Sequence, residues 1–426
     1  MRPVHFDEAL RAVVSAAWPV RPEKIALSGA LGRIAAARVT ADEDAVPYPR
    51  SAMDGYAVRA IDCELATPAH PVELHVSGKV FAEKGESTLS PGTALAITTG
   101  SPVPDDADAV IPHERTERNC ESVRIFVPVS EGDCIFPPGE DLHRGDEILA
   151  IGETITAGKM GLLAFAGKST ISVFHRPRVA IICTGNELVD VAATPARGQV
   201  RNSNAVTLSA LVRAEGGTPL YEGVASDDPA ALAEMLERAR RGADLLITTG
   251  GASSGERDFV KKVLTQSGAE FRFTQVAIRP GRPFGFAEWS GLPVCVLPGT
   301  PAAAFVCFQQ FVRPLLAGLS GRRVLHLPFV RARLDGELHS RSGRRYFVLA
   351  RVRWEPEGFV ATPLANQCSA LVRTSADANA IITIRETPGD SVTRLGSGDM
   401  VDAEIFAGSD VFCAPNDAYV ATEAAA

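Results

Sequence analysis

RVAIICTGNELVD, residues 178–190, is an unbroken apolar run that ends in a glycine loop. Apolar residues without alternation mark a strand buried on both faces, as in a parallel sheet. Beyond residue 190, helix and strand alternate. NSNAVTLSALVRAEGG (202–217) reads as a helix, with Asn204 as N-cap, Leu208, Leu211 and Val212 on the buried face, and Gly216–Gly217 as the stop. PLYEGVA (219–225) reads as a strand. SDDPAALAEMLERARRG (226–242) reads as a helix capped by Asp227 or Asp228, with Leu232, Met235, Leu236 and Ala239 inward. Then come ADLLITTGG (243–251, strand), GERDFVKKVLTQSG (255–268, helix), two β-type runs within FRFTQVAIRPGRPFGFAEW (271–289), LPVCVLPG (292–299, strand) and a long helix from Pro301. This order predicts a doubly wound α/β domain over 178–327, with helices on both faces of a mainly parallel sheet.

Outward from this domain the texture changes. Residues 6–18 have the period of an amphipathic helix, with Phe6, Leu10, Val13, Val14 and Ala17 on one face. Residues 46–138 hold short β-type runs punctuated by Pro and Gly, including VPYPRSAMDGYAV, ALAITTGSPVP and SVRIFVPV. The helix TAGKMGLLAFAG and strand TISVFH within 153–176 suggest that this β-rich module is inserted into a first domain made of 1–45 and 139–177. Residues 328–408 contain only strand-like runs, which suit a small β-barrel or sandwich. The tail 409–426 ends in ATEAAA and reads as frayed. The expected class is multidomain α/β plus β.

At 426 residues the chain exceeds one core and suits several domains. Its 43 basic and 51 acidic residues give a net charge of −8, which disfavours a general nucleic-acid or anionic-membrane binder but leaves room for a local anion site. MRPVHFDEAL lacks the basic-then-apolar pattern of a signal peptide. Ala302 to Leu319 reads as too short and too polar to span a bilayer, broken as it is by Gln309, Gln310, Arg313 and Pro314. The eight cysteines show no CxxC pair and read as buried, reduced thiols. The histidines form no HxxxH or HExxH pattern, so no zinc site is expected. These features point to the cytoplasm.

Three strand ends carry matching loops: Thr184-Gly185-Asn186-Glu187, Thr249-Gly250-Gly251-Ala252-Ser253-Ser254-Gly255, and Pro298-Gly299-Thr300-Pro301. Glycine lets backbone approach a ligand, hydroxyls and free N–H groups hold phosphate oxygens, and helix N-termini favour anions. One such loop is ordinarily a turn with a cap; three at one sheet edge favour an anion site. Glu187, Asp227 or Asp228, and Asp258 lie in the same loops. Acids beside a phosphate repel it unless a cation bridges them, so Mg²⁺ is expected. Capping alone accounts for Asp227 and Asp228. Arg279-Pro280-Gly281-Arg282-Pro283 adds positive charge in a loop that reads as too rigid for a strand. Gly167-Lys168-Ser169-Thr170 resembles the end of a P-loop, but its spacing from Gly161 fails by one residue and it ends a helix, so Gly167 reads as a helix stop. Asp54, in an Asp-Gly turn, and Asp141, beside Gly139, complete the candidate acids.

Taken together the segments resemble the molybdopterin molybdenumtransferase family (MoeA, and the E domain of gephyrin). The matching stretches are SAMDGYAVR (51–59), ITTGSPVPDDADAVIPHE (97–114), PPGEDLHRGDEIL (137–149), ICTGNELV (182–189), ITTGGASSGERDF (247–259), IRPGRPFGF (278–286) and LPGTPAAAF (297–305). SAMDGYA is the most specific of them. The resemblance implies four domains and a homodimer whose active site joins the α/β domain of one subunit to the SAMDGYA region of the other. It implies the reaction of adenylylated molybdopterin with molybdate to give molybdenum cofactor and AMP, with Mg²⁺. It also implies a molybdopterin adenylyltransferase as partner. By motif it assigns functional roles to Asp54, Thr99, Asp141, Glu187, Asp227 or Asp228, Asp258 and Pro298. Asp54, Asp141, Glu187 and Asp258 are the catalytic candidates, and Asp54, Glu187 and Asp258 the metal candidates. Thr99, Thr184, Gly185, Asp227, Asp228, Gly250, Gly251, Ser253, Ser254, Arg279, Arg282, Pro298, Gly299 and Thr300 are candidates for binding substrate.

Some positions depart from the family pattern. Thr300 stands where Asn is usual, Gln275 where some members have lysine, and Arg279 and Arg282 replace lysines. RRYFVLARV lacks the basic residue expected near Leu349. Two other classes compete: a diverged paralogue that inserts another oxyanion metal such as tungsten, and a non-catalytic pterin-binding scaffold. Retained Asp54, Glu187 and Asp258 favour catalysis, and no long linker supports a scaffold.

Overall fold

The computed structural model describes residues 2–80, 88–226, 228–250, 259–341, 343–386 and 392–406. At its centre is a six-stranded sheet in the spatial order Thr218–Ala225, Arg178–Thr184, Leu245–Thr249, Leu292–Leu297, Gly285–Trp289, Glu270–Phe273. The first four strands run parallel, and the last two close the edge as antiparallel neighbours. Successive residues of Arg178–Thr184 enter different cores. Val179, Ile181 and Cys183 pack with Leu208 and Val212 of helix Ser203–Ala214 and with Phe305 and Leu315 of the long C-terminal helix. Ala180 and Ile182 pack with Leu232 and Leu236 of Pro229–Arg240 and with Val260 and Leu264 of Phe259–Gln266. Burial on both sides explains the run that lacks alternation.

The segment 271–289 differs from its two expected β runs. Between Glu270–Phe273 and Gly285–Trp289 lies a short strand, Ile278–Arg279, which leaves the sheet and pairs in parallel with Arg345–Tyr346. The reading of Arg279 as too rigid for a strand is thereby corrected. Pro280 stops the strand because it has no N–H to offer, but it does not prevent the two residues before it from pairing.

Pro301–Leu319 is also a correction. Its 19 residues are, on length and composition alone, long and apolar enough to cross a membrane. It is instead wholly buried, running as Pro301–Cys307, a π-helical turn Phe308–Val312, and Arg313–Leu319. Pro314 cannot donate to the carbonyl four residues earlier, and the helix widens there. The N-terminal helix Phe6–Val14 buries Phe6, Ala9 and Val13 against it, with Phe6 and Phe311 rings 5.2 Å apart.

The C-terminal strands Phe329–Leu334, Arg345–Glu355, Gly358–Pro363, Ala380–Ile384 and Met400–Ile405 close into a five-stranded barrel. Closure, which leaves no free edge in the ring, decides between the two β architectures left open by sequence. Toward the N-terminus, Pro22–Ala26 pairs with Thr170–Phe174 and Val39–Thr40 with Glu147–Leu149. Between these flanks lies a second six-stranded sheet, from Gly55–Val58 to Ser122–Ile125, with the short helix Ala60–Cys63 beside it. Gly167 follows helix Ala157–Phe165 with φ +73° and donates its N–H to Ala164 O, so this segment is a helix stop and not a P-loop.

The cysteines match expectation only in part. Cys63, Cys183, Cys295 and Cys307 are buried, but Cys120 and Cys368 are exposed, and all the described cysteines are free thiols.

Candidate active site

Three loops meet at the carboxyl edge of the central sheet. Gly250 has φ +92°, and a Cβ there would stand 2.4 Å from Thr184 O and 2.6 Å from Thr184 Oγ1. A Cβ at Gly299 would stand 3.3 Å from Gly250 Cα. Only glycine fits such backbone contact at Gly250. Thr249 Oγ1 donates to Pro298 O at 3.1 Å. Asn204 Nδ2 donates to Thr249 Oγ1 at 3.0 Å and to Gly299 O at 2.8 Å.

That role corrects the reading of Asn204 as a cap. Asn202 caps the helix, its side chain accepting from Ala205 N–H at 3.1 Å. Asn204 lies in the first turn and is left to brace two loops. The signal in the sequence was a second Asn two residues after the first, one more than capping requires.

Glu187 is exposed and folds back over the turn, so that a Cβ on Gly185 (φ +142°) would lie 2.6 Å from both carboxylate oxygens. Asp228 caps Pro229–Arg240, accepting from Ala230 N–H at 3.1 Å. Asp227, Gly251, Ser253, Ser254 and Asp258 lie outside the described residues. Among the described residues no three His, Cys, Asp or Glu side chains converge as a metal site.

Beside these loops opens a cleft of about 730 Å³ between the α/β domain and the barrel. Of the candidates, Arg279, Arg282, Pro298 and Thr300 line it; Asp54, Thr99, Asp141, Glu187 and Asp228 do not. Sequence reasoning missed its barrel wall, formed by Arg344, Gln367, Cys368 and Ser369. Ser369 O accepts from Ala302 N–H at 2.9 Å, which ties this wall to the start of the Pro301 helix. Among the described residues no acidic side chain lines the cleft. Arg279 lies 5.8 Å over the Tyr346 ring, and Arg282 Nε donates to Gln275 Oε1 at 3.3 Å. Leu349 is 2% exposed and packs in the core, so a charge at that position would be buried rather than presented to the cleft.

The SAMDGYA segment forms its own cluster. Asp54 Oδ1 accepts from Thr99 N–H at 2.7 Å and from Thr99 Oγ1 at 3.0 Å. These bonds, the backbone one first, hold the Asp54 carboxyl below its usual range. A threonine hydroxyl has one proton, so Thr99 cannot bond Asp54 in this way and also donate to an oxyanion. A Cβ on Gly55 would stand 1.9 Å from Ile111 O, which accounts for the glycine after Asp54. Asp141 is exposed, two residues after Gly139, whose φ is +73°.

Comparison with known proteins shows the family of the chain. Residues 4–167 match the MoeA N-terminal region (domain I and II), 180–318 a probable molybdopterin binding domain, and 331–406 the MoeA C-terminal region (domain IV). The chain is 34% identical over 387 residues to a molybdopterin molybdenumtransferase of Bacillus subtilis, covering 90% of each chain. It is 35% identical over 388 residues to molybdopterin molybdenumtransferase 2 of Mycobacterium tuberculosis, covering 89% of this chain and 95% of that one. The crystal structure of the molybdopterin biosynthesis MoeA protein from Pyrococcus horikoshii OT3 superposes with a TM-score of 0.83 at 28% identity, over 95% of this chain and all of that one. The crystal structure of a molybdopterin biosynthesis MoeA protein from Pyrococcus horikosii gives 0.81 at 32% identity, over 96% of this chain and all of that one. With three matched regions in order and this identity over nearly the whole length, the chain belongs to the molybdopterin molybdenumtransferase family and is an enzyme of molybdenum cofactor biosynthesis.

Proposed function

We propose that the chain inserts molybdate into adenylylated molybdopterin, forming molybdenum cofactor and releasing AMP. The observation that carries this reading is the cleft lined by Arg279, Arg282 and Arg344, beside the braced glycine loops. Molybdate is a dianion and the adenylylated pterin carries phosphates, so both need cations and N–H donors. The guanidinium groups suit the oxyanion. The loops at Thr184-Gly185, Gly250-Gly251 and Pro298-Gly299-Thr300, with Ser253 and Ser254, suit the phosphates.

Mg²⁺ ordinarily takes one or two carboxylates, with substrate phosphates and water completing its shell. Exposed Glu187, on its glycine turn, fits that pattern, and the reading adds Asp258 as second ligand. Bound there, the ion would neutralise charge on the phosphoanhydride as it breaks. Asp228 is proposed to act through its helix cap, with Asp227 beside it.

Asp54, Thr99 and Asp141 lie outside the cleft, which motivates a homodimer in which these groups reach the partner's site. Asp54 is the third proposed metal ligand. The reading also places the enzyme in the cytoplasm beside a molybdopterin adenylyltransferase that supplies its substrate. It keeps the domain limits 1–45 with 139–177, 46–138, 178–327 and 328–408. The test is reconstitution: purified chain, adenylylated molybdopterin and molybdate should activate a cofactor-free molybdoenzyme. Equal activation without the chain would contradict the proposal.

A further inference from the structure

A second cavity, of about 220 Å³, lies where the N-terminal helix Phe6–Val14, the π-helical turn Phe308–Val312 and the barrel meet. It shares no lining residue with the cleft. Single π turns occur frequently at functional sites, and this one carries two consecutive glutamines that both line the cavity. Gln310 Nε2 donates to Glu404 Oε2 at 2.7 Å. Gln309 is 6% exposed, and its Oε1 has no hydrogen-bond partner. A buried polar group left unpaired keeps its full desolvation penalty, and an amide that nothing holds is free to turn to an occupant.

The guanidinium groups around the same space are short of counter-charge. Arg345 gives both Nη groups to Asp7, at 2.9 Å each, and its buried Nε has no partner. Arg313 donates Nη1 to Leu325 O at 3.0 Å and shares the single Glu215 carboxylate with Arg322, at 3.2 and 3.1 Å. Burial holds Arg313 below the usual arginine range. Arg385 lines the cavity from an exposed position, and among the described residues no carboxylate forms an ion pair with it. Its chain neighbour Glu386 lies 3.1 Å from His5 instead. Glu404 is the other acid in the wall besides Asp7, and burial pushes its carboxyl above the usual range, which weakens it as a counter-ion. Like charges gathered around one space repel each other unless an anion joins them.

We infer that this cavity is a second anion site, separate from the cleft, in which Arg385, Arg345, Arg313 and Gln309 take a small tetrahedral oxyanion of the phosphate class. The donors reach in from the π turn, the long helix and two barrel segments, a spread that suits a tetrahedral ion better than a planar carboxylate. The cavity has room for such an ion with a few waters, each of which takes about 30 Å³. Its occupant braces the N-terminal helix and the barrel against the long helix.

The test uses the full chain with Arg385→Gln, Gln309→Leu and Arg282→Gln beside the wild type. Arg385 is exposed and Gln309→Leu keeps the volume of the side chain, so both pocket variants should fold; Arg282→Gln reports on the cleft. Binding of radiolabelled inorganic phosphate is measured by equilibrium dialysis, with acetate as competitor and the melting temperature recorded against phosphate concentration. The wild type should bind a phosphate whose affinity survives Arg282→Gln, falls roughly tenfold or more in Arg385→Gln, and falls by less in Gln309→Leu. Melting of the wild type should rise with phosphate concentration, and the rise should shrink in both pocket variants. Acetate at equal concentration should not displace the ion. Absence of phosphate binding in the wild type, loss of all of it in Arg282→Gln, unchanged affinity in either pocket variant, or displacement by acetate would overturn the assignment.

Discussion

Asn204 and Thr249 form a hinge pin between two strand ends: the amide donates to the Thr249 hydroxyl at 3.0 Å, and that hydroxyl donates onward to Pro298 O at 3.1 Å. The same amide reaches Gly299 O at 2.8 Å, so one side chain fixes the spacing of the Thr249-Gly250 and Pro298-Gly299 loops. Asn204→Ala should cost about 1–3 kcal/mol of stability through unpaired polar groups. It should lower turnover by more than that loss of folded protein explains, because the loops lose their spacing. Asn204→Asp should be worse, since a carboxylate would face the Gly299 carbonyl. Chemical denaturation and steady-state kinetics on the same preparations check both.

Glycines in this chain should divide sharply by site. Gly55→Ala forces a Cβ to 1.9 Å from a backbone oxygen and should destabilise by at least ~1–3 kcal/mol. Gly161→Ala, on an exposed position of helix Ala157–Phe165 with nothing within 4 Å, should stabilise by roughly 0.4–1 kcal/mol. Urea midpoints of the two variants should move in opposite directions.

Acid sensitivity should track the Asp54–Thr99 contact. A carboxyl whose pKa is depressed in the folded state stabilises the fold above its unfolded pKa, and that contribution is lost as pH falls through the folded value. Thr99→Val removes the hydroxyl donor and keeps the N–H, so Asp54 should titrate at higher pH than in the wild type. Carbon-detected NMR of the Asp54 carboxyl would show the shift. An unchanged titration would mean the hydroxyl bond does not form in solution.

The proposed sharing of sites between two copies predicts complementation. Asp54→Ala and Glu187→Ala variants should each be nearly inactive alone, yet mixing them should regain part of the wild-type rate through sites free of both lesions. No recovery after verified subunit exchange would count against sharing.

Much of this was legible in the sequence because it is local. The apolar run Val179 to Cys183 and the three Thr-Gly or Pro-Gly loops are dictated by chain periodicity and turn chemistry. The features that escaped depend on register between distant segments. Arg344 reaches the cleft because Ile278–Arg279 crosses over to pair with the barrel, which no local pattern encodes. Gln275 reads in sequence as a lost charge, whereas in the fold it accepts from Arg282 and orients that guanidinium. Asn204 looked like a cap because capping residues and bracing residues are the same amino acids.

The role assigned to this enzyme is tested most directly by AMP release from adenylylated molybdopterin, monitored alongside molybdenum incorporated into the pterin, with and without molybdate. The expected result is little AMP without molybdate, and with it AMP and incorporated molybdenum in equal amounts. Rapid AMP release without molybdate, or molybdenum incorporated with no AMP formed, would contradict it.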